Sequence, residues 1–567
     1  MKPANLTYGV DDRPPLSLLA SLGLQQVLMA TAGWIVMAAM LATITVSPGD
    51  TQSILRMGMI ATGLGSMLQA NRRGPIGSGF FCPPIIAPAF FSTTVLAGPF
   101  GLPTLFGMTA VAGVFEVGLS RLLPRLRMLF PPEVIGVVMT MVGIAVLPAG
   151  LPRLLADPST LSAGADQSSN VVVGLVTLAV MIACTVWGRG VTKLFPMLIG
   201  IVAGLLSAVA LGAIPHETFQ RIANAPWLGV PHRPISSYAF EWSLLLPFTI
   251  ACFATSLKNI GDLTLCQKIN DANWTRTDMA SVSRGATAQG VANIIGGLLG
   301  TLSHNTSSGN VGLSLASGAT SRTIGYSFGT MVVLCAFTPK VAAAITALPA
   351  PIMGASVIYC CCFMMLSGIQ LLTSRLLDSR RILMAGCALA FGLSAGLSPH
   401  LYVNAPAFLK PILNSPVSFT ALVAVLLNVL MQLGNRRRLR LVLPAGSDHY
   451  DAIRDGLQQF GASVAARKET IVTATESLHH VMESLDTGLT NGSVTVELAY
   501  DEYNLDVDVS YDGQPIVLVK TRPDRETLLN DPTGLAQLSG WLLGQRTDRI
   551  RVKTEGERCH LLLRLAN

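Results

Sequence analysis

From residue 16 to residue 433 the chain is a succession of apolar runs, many close to the ~20 residues that a helix needs to cross ~30 Å of hydrocarbon. Lipid offers no partner to backbone N–H and C=O groups, so such runs span a bilayer as helices. Fourteen segments are marked, at 18–46, 53–70, 76–97, 104–120, 133–150, 170–187, 194–213, 243–265, 286–302, 304–320, 323–346, 352–373, 382–397 and 416–433. Composition agrees: half of the 567 residues are hydrophobic and 13% are charged, against about a quarter in ordinary soluble domains. The mean hydropathy is +0.53.

The expected fold class is an all-α polytopic membrane protein with a C-terminal α+β domain. Residues 1–440 hold 13 acids and 27 bases, whereas residues 441–567 hold 19 acids and 12 bases, so two physical regimes share the chain. The expected division is a cytoplasmic segment 1–15, a transmembrane domain 16–434, a basic linker 435–440 and a cytoplasmic domain 441–567. The bases follow topology. Arg72 and Arg73, then Arg121, Arg125 and Arg127, Arg189 and Lys193, Lys268, Arg276 and Arg284, Arg322, Arg375, Arg380 and Arg381, and finally "NRRRLR" all fall on one side of an even-spanned protein. The positive-inside bias then predicts cytoplasmic termini and leaves the bases needing no nucleic acid as partner. The opening "MKPANLTYGVDDRPP" lacks the apolar core of a secretory signal, which predicts no cleaved leader.

Segments 76–97 and 304–320 are interrupted by Gly, Pro and polar residues and would not be stable as uniform lipid-facing helices. They stand third and tenth of fourteen, equivalent places in two sevens. An odd-numbered unit reverses its topology on copying, so the pattern predicts inverted repeats whose broken helices meet at a midplane site. The eighth segment, "FTIACFATSLKNIGDLTLC", places Lys258 and Asp262 one turn apart in an otherwise apolar run. Ionisable residues there face a cavity or each other, and two readings are open: a self-neutralising i,i+4 pair or snorkelling cation, or an ammonium facing a site for an anion. Ten cysteines show no metal-ligand spacing, and no cluster of nucleophile, base and orienting residue predicts an enzyme or a cofactor.

Several ordered stretches resemble the nucleobase-ascorbate transporter family, in particular its bacterial uracil and xanthine permeases. They are "SLGLQQVLMATAG", "ATGLGSMLQ", "FPPEVIGVVMTMVGIAVLP", "GGLLGTLSHNTSSGNVGLSLASGATSR", "TPKVAAAITALPAPIMGA" and "MMLSGIQLL". The resemblance implies a core domain of spans 1–4 and 8–11, a gate domain of spans 5–7 and 12–14, and carriage of a nucleobase with protons or sodium, often by dimers packed through the gates. The family signature is matched by Asn310 and Gly312, with Ser317 in place of a Thr and Gly309 in place of a side chain that grips the base. Next to Gly309, Ser308 is a further binding candidate. Phe80 matches the aromatic that packs on the bound ring, with the backbone of Ser78 and Gly79 nearby.

Lys258 stands where the family's span-eight glutamate stands, three residues before Gly261, so the charge at the expected site has changed sign. Gln26 replaces a span-one histidine, and Asp262 is the one acidic candidate that this reading places in the core, for coupling. The implied cargo is a nucleobase, with an anionic purine such as urate or xanthine suited to Lys258. A small-anion transporter and a non-transporting sensor signalling through the C-terminal domain remain alternatives.

The tail changes pattern. "VTVELAYDEYNLDVDVSYDG" and "RIRVKTEGERCHLLLRL" read as strand pairs, and "RKETIVTATESLHHVMESL" as a helix. Their order resembles the ATPase fold of histidine kinases and anti-sigma factors. The positions aligned with that family's magnesium-binding Asn and adenine-reading Asp are His480 and Tyr511, so the resemblance predicts no nucleotide hydrolysis. A module that binds a cytoplasmic partner and an accessory domain without a ligand both stay open.

Overall fold

The computed structural model describes residues 3, 6–44, 46–126, 131–157, 166–189, 192, 195–213, 220, 222–235, 237–272, 277–373, 379–406, 409–432, 437–443, 450–464, 466, 468–486, 493–500, 504–513, 515–516, 518–519, 522–523, 534–547, 549–555 and 558–566. Of the bases used above for topology, Arg127, Lys193, Arg276 and Arg375 lie outside the described residues, as do 435–436 of the expected linker. The chain divides into two compact units, one of residues 1–372 and 384–426, the other of residues 373–383 and 427–567.

The first unit is helical. Its longer helices are α1 (Leu16–Leu41), α2 (Pro48–Ala70), α4 (Leu102–Leu126), α5 (Pro132–Leu154), α6 (Gln167–Trp187), α8 (Trp242–Asn270), α9 (Met279–Leu299), α13 (Ala350–Leu372) and, from Met384 onward, α14 (Ser379–Leu397). Seven helices among the described residues are long and apolar enough to cross a membrane, all of these except α2 and α9. The remaining expected segments are more polar, shorter or broken. Two, α7 (Pro196–Ala210) and α15 (Pro416–Gln432), are short apolar helices.

The eleventh expected segment is bent rather than straight. It consists of α11 (Arg322–Ala336) and α12 (Pro339–Thr346), with an 82° turn between them. Pro339 cannot continue the ladder of the preceding turn and instead opens the next helix. The Arg56 guanidinium, buried on α2, donates to the Ala336 carbonyl, freed at the break, and to the Gly229 carbonyl of a loop.

Segments three and ten carry the expected interruptions. Each contributes a short strand, β1 (Pro84–Ile86) and β2 (His304–Thr306), followed by a short helix, α3 (Phe91–Ala97) after a 3-10 turn and α10 (Ser308–Ala316). The strands pair antiparallel, Pro84 opposite Thr306 and Ile86 opposite His304, which satisfies non-helical backbone inside the protein. Around this ribbon β1 lies against α1 and α2, and β2 against α8 and α9.

Glycines set the helix contacts. Along α5, a Cβ on Gly136 would lie 2.6 Å from the Gly368 carbonyl of α13, and along α13 a Cβ on Gly354 would lie 2.8 Å from the Gly150 carbonyl of α5. Gly63 with Gly329 joins α2 to α11, and Gly113 with Gly290 joins α4 to α9, again carbonyl against Cα. Without a hydrophobic force between helices in lipid, such close backbone approach supplies the packing.

The second unit holds a five-stranded antiparallel sheet in the order β3 (Arg437–Leu443), β4 (Val494–Tyr500), β5 (Asn504–Asp512), β7 (Arg558–Ala566), β6 (Arg549–Glu555). Helices α16 (Tyr450–Val464), α17 (Lys468–Asp486) and α18 (Gly534–Arg546) share a core with one sheet face through Leu457, Leu478, Leu543, Val496, Val507 and Leu561. The other face is charged, with Arg564 bidentate on Asp506 at 2.6 and 2.8 Å. Residues 437–440 are corrected from linker to strand: "RRLRLVL" alternates with period two, and Leu439 and Leu441 pack on the core. A strand thus precedes the expected helix–strand pair order.

Candidate functional site

Lys258 and Asp262 share one face of α8 because four residues make about one turn. The Lys258 Nζ donates to Asp262 Oδ2 at 2.7 Å and to the Thr306 carbonyl of β2 at 2.5 Å. Asp262 also accepts from Thr306 Oγ1 at 2.7 Å and from Ser308 Oγ at 2.6 Å. The ion pair is therefore fastened to the interrupted tenth segment. It is partly open, with the lysine side chain 24% and the aspartate side chain 8% exposed. An ammonium has three donors, and the third finds no partner among the described residues. The pair neutralises itself, as one of the two sequence readings expects, and it sits where β2 hands over to α10.

The α10 N-terminus faces this pair. Ser307 caps it, accepting from the Asn310 N–H at 3.3 Å, while Ser308 and Gly309 are exposed. Ser308 and Gly309 are the first two residues of this helix, whose N–H groups have no intrahelical acceptor, a polarity that favours an anionic or carbonyl oxygen. Gly312 is exposed on the same helix, with nothing within 4 Å of a Cβ placed there.

Asn310 and Gln26 meet each other instead of the opening. Asn310 is fully buried; its Nδ2 donates to Gln26 Oε1 at 2.8 Å and to the Gln26 carbonyl at 3.0 Å, and its Oδ1 accepts from Ser307 Oγ at 2.7 Å. Gln26 in turn donates to Ser314 Oγ at 3.0 Å. These bonds spend both amide protons of Asn310 and tie α1 to α10. Ser317 is the C-cap residue of α10, with Oγ donating to the Ser314 carbonyl at 3.0 Å. A nine-residue helix puts it about 13 Å from the Lys258 end.

The loop before β1 is held by both α2 and α9. Gly79 N and Ser78 Oγ both donate to Gln69 O, at 3.1 and 3.2 Å, and Ser281 Oγ of α9 donates to Ser78 O at 2.9 Å. Gly79 has φ +81° and Gly77 φ +105°, where a Cβ on Gly77 would come within 2.2 Å of the Asn71 carbonyl. This turn delivers Phe80, half-buried, to an apolar cluster with Leu263 and Cys266 of α8 and Val311 of α10. The aromatic thus shares its surroundings with the helices that carry Asp262 and Ser308.

Two further acids, Glu116 and Glu133, are buried, and Glu116, in the fourth expected segment, corrects the expectation that Asp262 is the one acid in the core. Glu116 of α4 is fully buried, its Oε2 accepting from Asn293 Nδ2 at 2.8 Å and its Oε1 from Ser256 Oγ at 3.3 Å. Asn293 Oδ1 accepts from His304 N at 2.7 Å, and Gln289 Nε2 donates to His304 O at 2.5 Å, so α9 clamps β2 from the far side. The signal was present in "TLFGMTAVAGVFEVGLS", a lone acid within an apolar run. Thr306 was also missed, since nothing in its sequence context announces that its carbonyl and hydroxyl meet α8.

A family model described as Permease family matches residues 18–401. The chain belongs to this family of permeases, the nucleobase-ascorbate transporters that its motifs resemble, and is a multi-pass membrane protein. It is similar to the uric acid permease PucJ of Bacillus subtilis, 26% identical over 429 residues, covering 74% of this chain and 94% of PucJ. The xanthine permease XanP of Escherichia coli K12 is 26% identical over 440 residues, 75% of this chain and 95% of XanP. Among solved structures, the transmembrane domain of the cyanobacterial bicarbonate transporter BicA is similar over 74% of this chain and 99% of that domain, with a TM-score of 0.47 and 14% identity.

Proposed function

We propose that the protein is a secondary transporter that moves a nucleobase, an anionic purine such as urate or xanthine, across the cytoplasmic membrane by alternating access. The observation that carries this reading is the Lys258 ammonium, which bonds the Thr306 carbonyl where the two interrupted segments pair and whose third donor has no partner among the described residues. A purine stacked near Phe80 would accept that N–H on a carbonyl or anionic oxygen and find the amides of Ser308 and Gly309 beside it. Ser78 and Gly79 hold the aromatic, while Asn310 and Gln26 position α10. The uric acid and xanthine permeases among the relatives support the substrate class.

The architecture in this reading is two inverted seven-segment repeats, with core spans 1–4 and 8–11 and gate spans 5–7 and 12–14. Reciprocal pairings support it: α2 packs on α11 as α4 packs on α9, α5 packs on α13, and the strands of segments three and ten pair with each other. The termini are cytoplasmic, the protein pairs through its gates, and the C-terminal domain serves a cytoplasmic partner. The test is uptake into proteoliposomes of radiolabelled xanthine, urate, uracil and small carboxylates. Saturable purine flux is expected. Carboxylate flux without purine flux would favour a small-anion transporter, and purine binding without flux would favour a sensor.

A further inference from the structure

We propose that Glu116 is the residue that takes up and releases the coupling proton, and that Asn293 links its protonation to the position of β2. This rests on the transport reading above. Asp262, expected for that role, already accepts from an ammonium and two hydroxyls, so both of its oxygens are committed to fixed partners. Glu116 has the opposite surroundings. It is fully buried, and no cation pairs with it among the described residues; its hydrogen-bond partners are the neutral side chains of Asn293 and Ser256. A carboxylate without a countercharge in such a place is heavily penalised, whereas the neutral acid is tolerated and can donate its own proton.

The elements around it bring few other titratable groups. On α8 the Cys252 thiol lies beside it, donating toward the Ala112 carbonyl at 3.5 Å one turn before Glu116. Lys258 and Asp262 are farther along α8 and bond each other. His304 of β2 is buried, its Nε2 3.3 Å from the Gly58 carbonyl. Arg284, the titratable residue of α9, is nine residues from Asn293, half a turn round the helix. The α3 segment, "FSTTVLA", has none.

The geometry also gives the acid something to sense. Asn293 donates to Glu116 Oε2 and accepts from the backbone N–H of His304, two residues before the Thr306 carbonyl that holds Lys258. The polar chain Glu116, Asn293, β2, Lys258 is contiguous. A ligand that draws Lys258 away from Thr306 disturbs β2, hence Asn293, hence the donor that the ionised form of Glu116 depends on. With a proton on Oε1, the acid donates to Ser256 Oγ and no longer needs that second donor.

Full-length protein in proteoliposomes tests this with xanthine as probe. An inward gradient of about one pH unit drives about tenfold accumulation at one proton per substrate. The wild type is expected to reach this level, and Glu116→Gln to fall to the external concentration. Infrared difference spectroscopy on the same samples, needing no transport, is expected to show a pH-dependent protonated-carboxyl band that Glu116→Gln removes. Unchanged accumulation, or the same band in both proteins, overturns the proposal. Absence of xanthine flux in the wild type would sink the transport reading and leave the infrared result to decide on Glu116. If Glu116→Gln does not fold, Glu116→Asp is expected to shift the pH at which the band titrates, and an unshifted band overturns the proposal.

Discussion

Lys258 shows how a cation inside an apolar helix can be absorbed. An ammonium in a membrane helix would be costly alone, but Asp262 one turn on and the Thr306 carbonyl across the gap each take one of its protons. Removing one partner of such a pair leaves the other charge uncompensated, which costs about 3 kcal/mol or more when the site is buried. Lys258→Met is therefore expected to lower the unfolding temperature in detergent, and Lys258→Met/Asp262→Asn to recover most of it. Xanthine binding, measured by calorimetry, is expected to stay at least about tenfold weaker in both, a loss of about 1.4 kcal/mol. Wild-type binding by the double variant would remove Lys258 from the site. The pair itself was legible, because i,i+4 spacing is a local property. Its attachment to Thr306 was not, since 48 residues separate the two.

At the scale of elements, the interruptions of segments three and ten could be read from Gly and Pro, but their repair as a two-strand ribbon required knowing what lies opposite. Helix contacts behave similarly. Gly136, Gly143 and Gly150 recur every seven residues along α5, yet only the packing reveals that they face Gly368, Cys361 and Gly354 of α13. Leucine at 368 would meet the Thr140 amide and Gly136 carbonyl at 2.5 and 2.7 Å from its Cβ alone. Gly368→Leu is expected to destabilise the protein by about 2 kcal/mol or more through forced helix separation, read as a lower unfolding temperature. An unchanged value would show that α5 and α13 slide apart freely. The 82° turn at Pro339 was not foreseen, because an apolar run hides a bend when hydropathy alone is averaged.

For the whole molecule, the charge asymmetry between residues 1–440 and 441–567 predicts two regimes, and the chain divides into one unit of residues 1–372 and 384–426 and another of 373–383 and 427–567. The second unit has a two-layer α/β build, but Tyr511 bears on the nucleotide question. The phenol is buried, which pushes it up to about 12, and its oxygen accepts from Ile516 N at 3.1 Å. It supplies no carboxylate where the kinase-like fold is expected to read adenine. Titration of the full-length protein with ATP and Mg is expected to give no heat of binding, and micromolar affinity would restore a nucleotide role for this unit. The sequence by itself determined that much of this chain lies in lipid, where the interruptions fall and which family it belongs to, because length, hydropathy and local spacing carry those facts. Only tertiary structure decided that Glu116 and β2 share a polar chain, that Asn310 serves α1 and that Lys258 is held by Thr306. Hydrogen bonds between groups distant along the chain have no periodicity to announce them; they exist once folding has brought buried polar atoms to the partners they need.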